Sequence, residues 1–387
     1  MKKILIDITD LSDQYKIRGI SRYTRELVKR LVENKEFEWH LLGFDDVKDD
    51  LWIRKGVFHR LGTMKLSNPF NPLYFKLKWM PLIKRIQPDL YFAPHFERGL
   101  PLSVCKTVVT MHDVTPFMIG KYSSKGVFVN ILKGLFYRYN LRRAKQADLI
   151  FTHSQFSKSE LIKAGFSQQK IKVNYLGVTR GNIKGTVHSF SEILQKYGIQ
   201  KPYILYFGGI EPNKNIEKLL ETFALLIKSE RITLVLVDKN LCREKGIFKL
   251  LSQDAQRIKR KIDDLGIGNE MVFPGYIEEQ DLSTVIHHAE FFTHLSSYEG
   301  FGFVALEAMA YGCPVVAADR SCYPEILGDA ALLRDPDNTT EIAETMKELL
   351  HNKKLREHLI RKGFGRVQKY SWERTTKQTL HYFKELF

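Results

Sequence analysis

The chain has only four cysteines in 387 residues, Cys105, Cys242, Cys313 and Cys322, and no two of them form a CxxC pair or a metal-ligand spacing. That scarcity makes structural zinc unexpected and suits reduced thiols in a reducing compartment. Long apolar runs are missing too. No uncharged stretch approaches the ~18 residues that span a bilayer, and the opening "MKKILIDITD" meets an Asp too early for a signal peptide. A cytoplasmic location is expected. The sequence also has little acid where it has most base. Residues 1–180 hold 32 Lys+Arg against 16 Asp+Glu, and residues 51–180 hold 22 against 5, whereas from 181 onward each class numbers 28. The net charge of +16 therefore belongs to the first half. There, basic and aromatic residues interleave in "LWIRKGVFHRLGTMKLSNPFNPLYFKLKWMPLIKRI". This pattern suits an anionic partner, either a membrane face or nucleic acid, unless it is only a solvated basic face.

What the chain does contain is a steady alternation of short β-branched and aromatic runs with helical patterns, the signature of parallel sheets with crossover helices. The length calls for two domains. "KILIDI", "DLYFAPH", "KTVVTMHD" and "DLIFTHS" read as strands of the first; "YILYFGG", "ITLVLVD", "MVFPGY", "EFFTHLS" and "PVVAAD" as strands of the second. Between them the strand rhythm lapses over about 179–200, which reads as a linker with a short helix. The expected fold is α/β: two Rossmann-like doubly wound domains in tandem, 1–178 and 201–370.

Ligands of open parallel sheets bind beyond the carboxyl ends of the strands. His95, His112, Ser154, the loop "GGIEPNKN" and the loop "SSYEGFG" all fall at such ends. If the two sheets face each other, one interdomain cleft gathers them. Gly300 and Gly302 let the backbone approach a ligand, and the helix expected from Phe303 offers first-turn N–H groups to an anion such as a diphosphate; the plain alternative is a tight strand-to-helix turn. Lys214 supplies a cation for that anion, unless it is an ordinary surface lysine. Glu307 is the most telling residue, the lone charge between Glu299 and Asp319, with Phe303, Val304, Ala310 and Tyr311 as its helical neighbours. A buried carboxylate needs a polar partner, either ribose hydroxyls or a buried cation. Glu299 would face the sugar end of the ligand. His112, at a strand end, either donates a hydrogen bond to a sugar hydroxyl or a developing charge, or packs and caps.

Taken together, "KIRGISRYTREL", "VVTMHDVTPF", "THSQFSKSEL", "GGIEPNKN", "FPGYI", "SSYEGFGFVALEAMAYGCPVV" and "YPEILGDAALL" resemble, in order, the retaining GT-B glycosyltransferases of family 4. The most specific element is a Glu, seven residues and a second Glu, here Glu299 and Glu307. The resemblance implies that the second domain binds a nucleoside-diphosphate sugar, the first binds the acceptor, and the final helix at about 371–387 returns to the first. It also implies that Glu307 holds the ribose, Lys214 the diphosphate, and Gly300, Phe301 and Gly302 the phosphate and donor sugar. Gly19 would approach the phosphates, His112 and Glu299 would act at the transferred sugar, and the loop with Gly275 and Tyr276 would lie by the base. Retention by same-face attack needs no metal and no cofactor besides the nucleotide-sugar substrate, and Asp335-x-Asp337 reads as a polar loop remote from the site. Two positions depart from the family: Gly209 stands near where relatives carry an Arg, and Asp238 where they often carry Gly. The wording resembles bacterial mannosyl- and rhamnosyltransferases of surface polysaccharides, whose polyprenyl-diphosphate-linked acceptors would account for the basic first domain and imply peripheral membrane association. A nucleotide-sugar epimerase or a phosphorylase on the same fold is an alternative. Outside enzymes the alternatives are an inactive scaffold, or a nucleic-acid-binding protein, for which no recognition motif appears.

Overall fold

The computed structural model describes residues 1–12, 19–47, 50–62, 75–96, 100, 104–112, 138–179, 190–244 and 247–387. Asp113 of the "HD" pair, residues 13–18 before Gly19 and residues 63–74 of the basic stretch lie outside them. The chain divides into two compact units. Unit 1 holds the described residues up to Gly177 together with Ser371–Phe387, and unit 2 holds Val178–Tyr370.

Unit 1 is built on seven parallel strands: β1 (Lys2–Asp7), β2 (Phe37–Gly43), β3 (Val57–Arg60), β4 (Leu90–Ala93), β5 (Lys106–Thr110), β6 (Leu149–Thr152) and β7 (Ile171–Val173), in the order β3-β2-β1-β4-β5-β6-β7. β4 and β6 are buried along their whole length, and β1 and β5 are buried beyond their first residues, as a parallel sheet covered on both faces requires. β2, β3 and β7 add to the four strands expected from sequence. β2 carries Glu38 and His40 among its apolar residues, and β3 and β7 are short edge strands, so none shows the continuous apolar run that marks the centre of such a sheet. The helix Trp372–Lys384 belongs to this unit and buries Trp372, Thr375, Thr379 and Phe383. In the basic stretch, Arg54, Lys55, Arg60, Lys78, Lys84 and Arg85 are exposed, whereas Trp79 turns inward against Phe44 at 6.3 Å. Among the described residues the bases face solvent and the tryptophan faces the core.

Unit 2 has six parallel strands: β8 (Tyr203–Phe207), β9 (Thr233–Val237), β12 (Met271–Val272), β13 (Phe291–His294), β14 (Val315–Ala318) and β15 (Leu332–Arg334), ordered β12-β9-β8-β13-β14-β15. The order reverses between β8 and β13. This is the topological switch point, where the loops leaving the two strands diverge and open a crevice. A hairpin of β10 (Leu241–Glu244) and β11 (Ile247–Leu250) interrupts the α/β alternation. Asp238 begins it: its carboxylate accepts from Asn240 N at 2.7 Å, and Leu241 N reaches Asp238 O at 3.2 Å, so this departure from the family builds a turn. β12 is shorter than "MVFPGY" suggests, because Pro274 cannot donate to a ladder. The segment Phe190–Lys196, within the expected linker, is a helix of unit 2, with Lys196 on Asp281 at 2.8 Å.

Candidate functional site

The two loops at the switch point of unit 2 are strapped together through Asn213. Its carbonyl accepts from Ser296 Oγ (2.8 Å) and Ser297 N (2.9 Å), and its amide donates to Tyr298 O (3.1 Å). The strap sets Lys214 against Glu299, Nζ to Oε1 at 2.7 Å, with the side chains 20% and 14% exposed. Burial is the largest influence and pushes the Glu299 carboxyl upward, but the Lys214 ammonium, His294 and Ser296 together hold the group below the usual carboxylate range. This is a preformed ion pair, each member of which keeps a face towards solvent.

Behind Glu299 lies His294, the last residue of β13. Its Nδ1 is 2.5 Å from Tyr323 Oη and 3.9 Å from Glu299 Oε1, and its ring stacks on Tyr206 at 5.3 Å. Burial, aided by the Lys214 charge and opposed by that of Glu299, brings this histidine down to about 4, so it is neutral at physiological pH. Tyr323 also fixes the turn into the next helix. Gly302 has φ +72°, and a Cβ there would stand 2.3 Å from the Tyr323 ring. Only glycine fits, on both counts. The Glu299 amide donates to Ser321 Oγ at 3.2 Å, a third tie between this loop and the 321–323 segment.

The helix Phe303–Ala310 follows with Gly302 as its N-cap. Every residue from Ala305 to Ala310 is buried, and Gly363 of the helix Lys353–Val367 comes so close that a Cβ there would be 3.3 Å from Met309. Glu307, in the middle, is 6% exposed. The position predicted from the apolar run is thus a buried carboxylate on the first turns of a helix that starts at the crevice. Phe301 is buried and meets Tyr370 edge-on at 5.6 Å.

Other predicted residues take these places. Gly275 has φ +75°, and a Cβ there would be 2.8 Å from Cys242, so its loop is seated on the β10–β11 hairpin while Tyr276 stays 51% exposed. At Gly209 a Cβ would overlap the Glu211 carboxylate at 1.9 Å, so a longer side chain there would have to displace the end of the exposed Glu211 side chain. A cation reaches this loop from another element instead: Arg257 donates to Ile210 O at 2.9 Å and pairs with Glu217. The Asp335-x-Asp337 motif is taken up by Arg320, which donates to both carboxylates at 3.0 and 2.7 Å. In unit 1, Gly19 opens the helix Gly19–Leu31 with nothing within 4 Å of a Cβ built on it. Ser154 caps the helix Gln155–Lys163 by accepting from Ser157 N at 3.0 Å. Both ring nitrogens of His112 are engaged, Nε2 with Pro94 O and Nδ1 with His153 Nε2, each at 2.9 Å, so any hydrogen bond from this ring to a ligand must replace one of these. The sequence reading missed His294, Tyr323, Asn213, Ser321 and His153. A histidine ending an apolar strand was the available signal for His294 and His153; nothing local marks the others.

Residues 17–180 match Glycosyltransferase Family 4, and residues 189–366 match Glycosyl transferases group 1. An Escherichia coli O-antigen chain mannosyltransferase B is 29% identical over 391 residues, covering 96% of this chain and 97% of that one. The serotype-specific mannosyltransferase WbdA of Escherichia coli is 24% identical, but this chain spans only 48% of its length. Among solved structures, sucrose-phosphate synthase from Thermosynechococcus elongatus superposes with a TM-score of 0.76 at 18% identity, covering 100% and 99% of the two chains. Anabaena HepE in complex with UDP-glucose gives 0.72 at 19% identity over 100% of each chain. The lipopolysaccharide glycosyltransferase WaaG gives 0.71 at 14% identity, covering 97% and 98%.

Proposed function

The chain belongs to the glycosyltransferases, with a Family 4 domain followed by a group 1 domain on the two-sheet GT-B fold, and from that premise we propose that it transfers a hexose or deoxyhexose, mannose foremost, from a nucleoside-diphosphate sugar to a growing cell-surface glycan. The mannosyltransferase relatives support the sugar, and HepE with its UDP-glucose supports the donor class. The observation that carries the reading is the Lys214–Glu299 pair at the switch point, one turn from the start of a helix that buries Glu307.

Each group then has a task. The diphosphate sits at the start of the helix Phe303–Ala310, against Gly300, Phe301 and Gly302, with the Lys214 ammonium neutralising it. Glu299, kept ionised by that lysine, accepts hydrogen bonds from hydroxyls of the donor sugar. Glu307 accepts from the ribose hydroxyls, and Gly275 and Tyr276 border the base. Gly19 and His112 of unit 1 serve the phosphates and the transferred sugar. Transfer is retaining: the acceptor hydroxyl attacks from the face the diphosphate leaves, and the departing phosphate oxygen takes its proton. The site's contribution is to hold charge where it develops, on the oxocarbenium-like sugar and the leaving diphosphate, without a metal. The acceptor is lipid-linked, and the exposed bases of unit 1 meet an anionic membrane surface.

Thermal unfolding with UDP, GDP, dTDP and their sugars tests this on the wild type and on Glu307→Ala. At 100 times Kd a ligand stabilises by about 2.7 kcal/mol, which raises the midpoint by several degrees. One nucleotide is expected to shift the wild type and not Glu307→Ala. A folded wild type that no nucleotide shifts would defeat the assignment of donor site.

A further inference from the structure

Three loops of unit 2 lean on one buried ring, that of His294, which ends β13 and has no exposed surface. Towards the loop after β8 the imidazole stacks on Tyr206, 5.3 Å away and 5° from parallel, and Tyr206 Oη donates to Gly209 O at 2.5 Å. Towards the loop after β13 its Nδ1 stands 3.9 Å from Glu299 Oε1. Towards the segment after β14 the same nitrogen is 2.5 Å from Tyr323 Oη. The Tyr323 ring is in turn the surface against which the Gly302 turn packs.

Protons decide the direction of the bond between the two rings. Burial first, and the nearby Glu299 charge after it, hold the Tyr323 phenol far above its ordinary range, so it keeps its proton. His294 is neutral and carries one ring proton, and its buried Nε2 has no partner among the described residues. If Tyr323 donates to Nδ1, one group goes unmet, the Nε2–H. If Nδ1 donates to Tyr323, two go unmet, the phenolic proton and the bare Nε2. Each buried unmet group costs free energy, so the first arrangement holds. His294 Nδ1 is thereby closed by Tyr323 and stands behind Glu299 without binding it.

We propose that the hydrogen bond from Tyr323 to His294 is a positioning element of the donor site, which keeps Glu299, the carboxylate that meets the transferred sugar, in register with the diphosphate turn at Gly302. The inference rests on the donor site assigned under the proposed function. A ring without the nitrogen would fill the same space, but it would not fix a direction, because packing is non-directional and the hydrogen bond is not. His294 thus acts on the sugar through Glu299 and on the phosphates through Tyr323, and it touches neither.

Three variants separate position from packing: His294→Phe, Tyr323→Phe and the two together. Each single change leaves a buried polar group unmet on the other ring, so each should lower the thermal midpoint. The double change leaves none and should recover most of it. Isothermal titration calorimetry with UDP, GDP, dTDP and their sugars then gives, for the nucleotide that binds the wild type, the Kd of the nucleotide sugar divided by that of the nucleotide. This ratio isolates the contacts made by the sugar. It should rise about tenfold in all three variants, the double one included, which is the worth of one positioned hydrogen bond. A double variant that recovers both the midpoint and the wild-type ratio would reduce the pair to packing and overturn the proposal. Should the double variant not fold, His294→Asn decides: its amide oxygen can accept from Tyr323 near the Nδ1 position, so the wild-type ratio should persist, and a raised ratio would overturn the proposal. A folded wild type that binds no nucleotide would remove the donor site and this inference with it, whereas nucleotide binding with an unchanged ratio in every variant would remove the inference alone.

Discussion

Replacing Lys214 by Met separates two effects that the wild type balances on Glu299. With the ammonium present the carboxyl titrates below its unfolded value, so its stabilisation is present above the unfolded pKa and lost as pH falls through the folded one. Without it, burial alone raises the carboxyl, and an ionised Glu299 then costs stability at neutral pH. Lys214→Met should therefore lower stability by about 2 kcal/mol at neutral pH, less than a fully buried pair would lose because both groups keep partial solvent contact. The difference should shrink at acid pH, as the pH falls first through the raised carboxyl of the variant and then through the lowered carboxyl of the wild type, because the unfolded carboxylate is common to both. Urea unfolding at both pH values measures it, and a gap that widens in acid would contradict the ion-pair account. At this scale the sequence exposed the charged residues well: Glu307 stood out because nothing apolar explains it, and Lys214 and Glu299 because they sit at strand ends. That these last two touch was not legible. They are 85 residues apart, and their contact depends on Asn213 strapping two loops.

Among the elements, the entry to the helix Phe303–Ala310 carries the strictest local demand. Gly302→Ala must hold φ +72° with a side chain and must also displace the Tyr323 ring, which stands 2.3 Å from the new Cβ. The strain alone costs on the order of 1 kcal/mol and the clash adds to it, so a loss of about 3 kcal/mol is expected in unfolding experiments. Because Tyr323 also holds His294 behind Glu299, nucleotide-induced stabilisation should fall together with the midpoint. Retained ligand response in a destabilised Gly302→Ala would show that the turn and the site are independent. The central strands and this helix were readable because burial on every side leaves a continuous apolar run. Strands β3, β7, β10, β11 and β15 were not, since edge strands and hairpins need only one apolar face, and β2 was not because Glu38 and His40 interrupt its apolar run.

Over the whole molecule, charge is the property that divides most sharply, with the excess of base confined to residues 1–180. Among the described residues no helix is long and apolar enough to cross a membrane, so any membrane contact through them must rest on charge or on surface apolar groups. Flotation with liposomes rich in anionic lipid is expected to carry the protein, at about 1 kcal/mol per base near the surface, and to fail as ionic strength shortens the Debye length below about 8 Å. Binding that is indifferent to salt, or to Lys→Glu changes at Lys78 and Lys84, would remove the basic face from the account.

By itself the sequence determined the class of the fold, the placing of the excess charge and the need for a polar partner at Glu307. These follow from periodicity and composition, which act locally along the chain. Only the tertiary structure decided which cation meets Glu299, that Asp238 builds a turn, that Arg320 occupies the Asp-x-Asp loop, and that His112 meets His153. Each of these is a contact between loops leaving different strands. Hydrogen-bond partners at such edges are chosen by strand order and distance in space, which local pattern does not encode.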